Sequence, residues 1–222
     1  MRSVFIATPA YSGSVVVEYV GALMANCVDL ASKGVVTEFK IFQGNCYIAL
    51  ARNELVTEFL KSDATHLFFW DDDVGAPNDG ISKLLSHDRE VVAGIYPKKT
   101  EKVDYPVRLL AGAEREGDLI ECEGLPTGFM LIRRDVIERM IEAYPERKFT
   151  DPLNGNVHHE LFACENVSGT WWGEDYRFCQ LARAIGVRVF ADTSMDFRHV
   201  GRKVWRGRME DDLWPSQNLS QI

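Results

Sequence analysis

Three consecutive aspartates, Asp71, Asp72 and Asp73, follow the apolar run His66–Trp70 and precede Val74–Pro77 in the stretch HLFFWDDDVGAP. Carboxylates side by side repel one another unless a positive charge sits among them. A hard divalent cation such as magnesium or manganese, which prefers oxygen ligands, meets that need. The apolar run has the length of a buried strand, and the Gly and Pro after the acids break it. The acids therefore fall where a central strand leaves an open α/β sheet, the edge at which such sheets bind ligands. Alternation along an extended chain puts Asp71 and Asp73 on one side, with Asp72 facing away. The pattern reads as a D-x-D pair holding a metal against a phosphorylated ligand. A solvated acidic turn, or an Asp capping the next helix, is the plainer alternative.

Four further groups are chemically able. WWGEDYRF, Trp171–Phe178, places Glu174 and Asp175 at the start of a helix, where acids suit the macrodipole. Its paired tryptophans suit stacking on pyranose faces, or packing alone. FRHVG ends a strand with His199, a neutral imidazole able to complete a metal site that two carboxylates leave short of ligands. In LARN, Leu50–Asn53, the planar fork of Arg52 can reach a phosphate or base edge, or pair with Glu54 or Glu58. In YPKK, Tyr96–Lys99, the lysines can neutralise a diphosphate or simply be solvated. Neither a G-x-x-x-x-G-K-S/T loop nor a G-x-G-x-x-G fingerprint is present.

The elements that must position these residues alternate. Ser3–Thr8 reads as a strand, Val15–Leu30 as a helix with Val16, Val20, Leu23, Met24, Cys27 and Leu30 on one stripe, and Val35–Phe42 as a strand. Asn45–Leu60 is a helix buried through Ile48, Leu55, Val56, Phe59 and Leu60. The acidic strand, a short helix at Asn78–Ser86 and a strand at Glu90–Tyr96 follow. This alternation implies a three-layer α/β fold with a mainly parallel sheet. Val107–Ala113 and Asp118–Glu123 read as short strands around Glu114–Gly117. Leu125–Arg134 feeds a buried strand, and Asp135–Tyr144 is a helix with Asp135 at its N-cap. Glu146–Gly169 is long and polar enough to be a functional flap. A helix within Trp171–Ile185 and strands at Val187–Ala191 and Met195–His199 complete the pattern. One domain over 1–222 is expected, with a nucleotide-binding half at about 1–100, an acceptor and catalytic half at about 101–207 and a tail at 208–222.

The 222 residues, 46 % hydrophobic, suffice for one sizeable core. A net charge of −8 argues against a nucleic-acid partner held by a general basic surface. The apolar run at the N-terminus is too short for a signal peptide, and no stretch reaches the roughly 18 residues of a transmembrane helix. Five dispersed cysteines without C-x-x-C spacing suit free thiols. A soluble cytoplasmic protein is expected.

Taken in order, the pieces resemble glycosyltransferases of the GT-A fold, most closely the family 2 type. TPAY, ALARN, FFWDDDV, VAGIYPK, LPTGFMLIRR, GEDYRF and FRHVG follow one another as that family's motifs do, over residues 3 to about 207. WWGED is also similar to the W-G-G-E-D segment of β-1,4-galactosyltransferases. The resemblance implies a Rossmann-like α/β/α sandwich with a mixed, mainly parallel sheet, a nucleotide-diphosphate sugar donor, and a glycan or glycoconjugate acceptor. By the same resemblance Thr8, Pro9 and Tyr11 line the nucleoside pocket, and Arg52 with Asn53 reaches base or donor. Asp71 contacts ribose or the metal's water shell, Asp73 binds manganese or magnesium, and His199 is a further metal ligand. Asp72 in the middle of D-x-D leaves the ligand assignment ambiguous by one position. Lys98 or Arg202 stabilises the departing diphosphate. Asp175 is the general base and Glu174 orients a substrate. Trp171 and Trp172 shape the sugar site, and Gly128 leaves room for the acceptor. The processive Q-x-x-R-W motif is absent, which implies addition of single sugars.

A base opposite the leaving group implies inversion at the anomeric carbon. A sugar-1-phosphate nucleotidyltransferase would carry a G-x-G-T/S-R loop where TPAYSGS stands. A non-catalytic nucleotide-sugar or glycan-binding module is a second alternative. A glycoside hydrolase using Asp73 and Asp175 is a third. Clustered aspartates suit it poorly.

Overall fold

The computed structural model describes residues 2–152 and 154–214. The chain opens β1 (Ser3–Ala10), α1 (Val17–Ser32), β2 (Val36–Gln43), α2 (Ile48–Lys61) and β3 (His66–Trp70). β1 lies between β2 and β3 and is parallel to both. The chain thus steps outward from β1 to β2, then back across β1 to β3. Crossovers of one hand running in opposite directions put their helices on opposite faces. Tyr19, Ala22 and Leu30 of α1 accordingly pack on Val4, Ile6, Phe68 and Trp70, while Leu55, Val56 and Phe59 of α2 pack on Phe5, Ala7, Leu67 and Phe69. The cleft left at the switch between β1 and β3 is where the three aspartates emerge.

β4 (Val74–Gly75), α3 (Gly80–Ser86) and β5 (Val91–Gly94) follow, then β6 (Arg108–Leu109), β7 (Arg115–Glu116), β8 (Leu119–Gly124), β9 (Phe129–Arg133) and α4 (Arg134–Ala143). After a turn at Pro145–Arg147 come β10 (Lys148–Thr150), β11 (Val157–His159), β12 (Glu165–Val167), β13 (Thr170–Trp172) and α5 (Glu174–Ala184). β14 (Val189–Asp192), β15 (Asp196–Val200), β16 (Val204–Arg208) and α6 (Met209–Leu213) end the described chain. The main sheet runs β2-β1-β3-β9-β5-β14-β8-β6, with β7 also on β8. β1, β2, β3, β5 and β14 run in one direction, and β9 and β8 run against them. This is the expected three-layer fold with a mixed, mainly parallel sheet.

Four local expectations need correction. The α1 stripe read from spacing faces partly outward: Val20 and Met24 are exposed, and Tyr19, Ala22, Asn26 and Leu30 are buried. A helix apolar on both sides gives no periodic signal to choose between them. The strand expected at Val107–Ala113 shrinks to β6, with a register shift against β8, and β7 makes the hairpin with β8. Asp135 is in the first turn of α4 rather than at its cap, held by Arg133 at 2.8 Å. Glu146–Gly169 is not a bare loop, since it holds two small antiparallel ribbons, β10–β11 and β12–β13. Ser168 and Gly169 turn the second ribbon with positive φ at both positions, the geometry of a tight hairpin turn. Of the tail at 208–222, residues 215–222 lie outside the described residues. All five cysteines are free, and no described helix is long and apolar enough to cross a membrane.

Candidate active site

β3 stops at Trp70 because the next residues turn. Asp71 donates its N–H to the Gly128 carbonyl at 3.0 Å and accepts from Val74 N–H at 3.2 Å. The buried Trp70 indole closes the turn by donating to the Val74 carbonyl at 2.7 Å. The alternation expected of an extended chain therefore fails. Asp72 does not face away: all three aspartates line one cleft of about 430 Å³ with Pro9, Tyr11, Ser12, Asn45, Cys46 and Ile48.

Each aspartate has its own electrostatic surroundings. Asp71 accepts from Arg52 Nη2 at 3.0 Å, and Arg52 Nε lies 3.6 Å from Glu174. With 4 % of its side chain exposed and Phe69 beneath it, Arg52 sits under the acids and braces the two carboxylates from below. It is thus not displayed to a base or phosphate, nor paired with Glu54 or Glu58. Burial disfavours its charge, but Asp71 and Glu174 outweigh that and hold it. Its Nε and Nη1 have no hydrogen-bond partner among the described residues. Asn53, the neighbour, clamps Phe162 through both backbone groups, at 2.8 and 2.9 Å. It anchors the loop before β12 rather than reaching the cleft.

Asp73 is held by β15. His199 pairs with Val74 in the β15–β4 register, and Val200 N–H donates to the Asp73 carbonyl at 2.8 Å. His199 Nδ1 lies 2.8 Å from the Pro97 carbonyl. A carbonyl only accepts, so Nδ1 donates a proton to it, and Nε2 lies 3.5 Å from Asp73 Oδ1. The other Asp73 oxygen accepts from Lys99. Burial pulls the Asp73 carboxyl up, but His199 and Lys99 more than offset it and hold it below its usual value. Lys98 turns the other way and pairs with Asp104 at 2.6 Å. The lysine that reaches the acids is Lys99, the second of the YPKK pair. Asp72 is pushed up to about 6 by burial and by its neighbours Asp73 and Asp71.

The second acid pair opens α5. Gly173 is the N-cap, and Glu174 and Asp175 occupy the first turn. Asp175 accepts from Tyr176 N–H at 2.7 Å. Burial and then the adjacent Glu174 push the Asp175 carboxyl up to about 6. Arg52 touches Glu174 and Asp71, so the two acid groups meet over one buried guanidinium.

The remaining expected residues are placed as follows. The Thr8 hydroxyl is buried against the Tyr19 hydroxyl at 2.6 Å and lies beneath the cleft rather than in it. Gly128 leaves no room for an acceptor, because a Cβ there would collide with the Tyr96 hydroxyl and the Asp71 carboxylate. Its need for glycine is the close approach of these two groups. Trp171 is exposed, whereas Trp172 is half-buried beneath Arg108, whose guanidinium lies 4.6 Å from the ring centroid. Arg202 is exposed on the β15–β16 turn.

A divalent cation fits part of this arrangement. With its Nε2 deprotonated, His199 can join the Asp73 oxygen 3.5 Å away as a mixed donor pair for manganese, whereas magnesium prefers oxygen donors; such ions keep waters and phosphate oxygens as further ligands. Asp71 is not part of that set, being turned to Arg52. Among the described residues no group of three or more His, Cys, Asp or Glu side chains is gathered for a metal.

The chain matches no family model and no curated protein. Among solved structures it is similar to A197 from STIV, with a TM-score of 0.59 and 22 % identity over 95 % of this chain and 91 % of that one. S. aureus TarS 1–349 overlays with a TM-score of 0.49 at 12 % identity, over 96 % and 62 %. The inositol-1-phosphate CTP transferase from T. maritima overlays at 0.46 and 13 %, over 90 % and 89 %. The likeness to A197 is one of fold. The fold is GT-A-like.

Proposed function

We propose that the protein is an inverting glycosyltransferase that moves a sugar from a nucleotide diphosphate, a uridine diphosphate by first choice, to a hydroxyl of a glycan or glycoconjugate. The observation that carries this reading is the pairing of two unlike acid groups over Arg52. Asp71–Asp73 line a cleft beside Pro9 and Tyr11 at the sheet's switch point, where nucleotides bind in folds of this architecture. Asp175 stands across from them with a carboxyl raised to about 6, close to the working pH that suits a general base.

In this reading Tyr11 and Pro9 cover the nucleoside and the cleft takes the diphosphate. Asp73 and His199 would hold a divalent cation, which when bound neutralises charge on the departing diphosphate. Lys99, on the other oxygen of Asp73, adds a second positive charge on the same side. Arg52 fixes Asp71 and Glu174 so that neither rotates into the reaction space. Asp175 takes the proton of the acceptor hydroxyl as the oxygen attacks the anomeric carbon from the face opposite the diphosphate. Phe162, stacked on Phe178 at 4.5 Å, backs α5 and keeps its first turn in place.

The test is binding. Nucleoside diphosphates are titrated with manganese or with chelator, and the melting temperature is read for the wild type and for Asp73→Asn. A ligand at a hundredfold excess over its dissociation constant stabilises by about 2.7 kcal/mol. A manganese-dependent shift with one base, lost in Asp73→Asn, is expected. No shift with any diphosphate overturns the reading.

A further inference from the structure

Helix α1 is apolar on both sides. Tyr19, Ala22, Asn26 and Leu30 face the sheet. Val17, Val20, Gly21, Met24, Val28 and Ala31 face away from it, all exposed, Met24 at 66 % and Val28 at 71 %. Their spacing forms one helical stripe that no charge interrupts. Beside it, β2 is an eight-residue edge strand, hydrogen-bonded to β1 alone. Thr37 and Phe39 pair with Val4 and Ile6, which pack against α1, so alternate residues of β2 face the α1 side. On that side Phe39 is 65 % exposed and Ile41 is exposed too. The half-buried Cys27 of α1 lies beside Thr37 of β2, between helix and strand. A long apolar edge strand beside an apolar helix stripe is a combination that isolated chains avoid.

We propose that the β2 edge, with Phe39 and Ile41 on its α1 side, is the interface with a second copy of the chain, formed by antiparallel β2–β2 pairing about a two-fold axis at Phe39. The sequence of β2, VTEFKIFQ, is complementary to itself in that register. Phe39 meets Phe39, Thr37 meets Ile41 and Val36 meets Phe42. Glu38 meets Lys40 twice, on the face away from α1. Neither Glu38 nor Lys40 has an ion-pair partner among the described residues. A slip of two residues either way sets Glu38 against Glu38 or Lys40 against Lys40, so charge selects the register. A two-fold axis normal to the sheet keeps both α1 helices on one face, flanking the seam, with the Phe39 and Ile41 side chains of both copies between them. The two clefts open at opposite edges and stay free. The inference does not depend on the reaction proposed above.

The experiment is a charge-swap series read by sedimentation velocity at several concentrations. Wild type is expected to dimerise. E38K and K40E each turn two attractive pairs into repulsive ones and should weaken the dimer roughly tenfold or more. The E38K/K40E double variant should restore it. An equimolar mixture of the two single variants should form a heterodimer, since one carries two lysines and the other two glutamates at the facing positions. Both positions, Glu38 and Lys40, are exposed on the edge, so each variant should keep the wild-type fold as read by circular dichroism. A monomeric wild type, or a dimer that ignores the swaps, overturns the proposal. Loss of the dimer in both single variants without rescue by the double variant or the mixture also overturns it.

Discussion

Two groups of acids face each other across one arginine, and they differ in what surrounds them. In Asp71–Asp73 the outer two carboxylates have cations of their own, Arg52 for Asp71 and Lys99 for Asp73, which His199 also flanks. At Glu174–Asp175, Arg52 pairs with Glu174 among the described residues, and for Asp175 burial and the neighbouring negative charge outweigh its more distant pull. Asp73 is therefore held below the usual carboxylate range, whereas Asp175, like Asp72 between its two acidic neighbours, is raised to about 6. Fixed charges suit binding a diphosphate and a raised pKa suits moving a proton. Position on the fold supplies the difference, not residue type.

Removing the proposed base should have the largest effect. Asp175→Asn is expected to lower turnover by about 10²–10⁴-fold while nucleotide binding stays within a few fold. Single-turnover rates and the melting shift read the two separately, and equal losses in both would erase the contrast between the groups. Next, Arg52→Met should destabilise the fold by on the order of 3 kcal/mol, because it leaves Asp71 and Glu174 as unpaired, largely buried charges. Chemical denaturation measures this, and a loss below about 1 kcal/mol would mean the arginine does not join the two groups.

Gly128→Ala tests how closely the groups are set. Its methyl must displace Tyr96 or Asp71, at a cost of about 1–3 kcal/mol in stability, with nucleotide affinity falling as Asp71 moves. The smallest effect is a shape rather than a loss. The active form of a base is deprotonated, so kcat/KM should fall tenfold per pH unit below about 6, the value to which Asp175 is raised. The limb should vanish in Asp175→Asn. A limb displaced to the ordinary carboxylate range, near pH 4, would show that Asp175 is solvated in the working enzyme.

How much of this was legible from the residues differs between elements. The strand before the acids, the helix after WWG and the alternation of the first hundred residues announce themselves through periodicity and through Gly and Pro breaks. Arg52 and Asn53 did not, since two polar residues inside an apolar helix face say that something is bonded but not what. Their partners, Asp71, Glu174 and Phe162, are distant in sequence. Lys98 and Lys99 are chemically alike, and only the direction of the chain after Tyr96 sends one to Asp104 and the other to Asp73. Gly128 signals a close approach, whereas the groups that approach are supplied by two other strand ends.

What the sequence by itself determined is therefore local: where strands end, which turns need glycine, and that acids cluster after a buried strand and at a helix start. These depend on neighbours within a few residues, and backbone sterics and side-chain alternation act over that range. What only the tertiary structure decided is which acid keeps its charge. That depends on whether a cation from another element arrives beside it and how much water is excluded. For Asp73 the Lys99 and His199 side chains arrive. For Asp175 the burial comes without them.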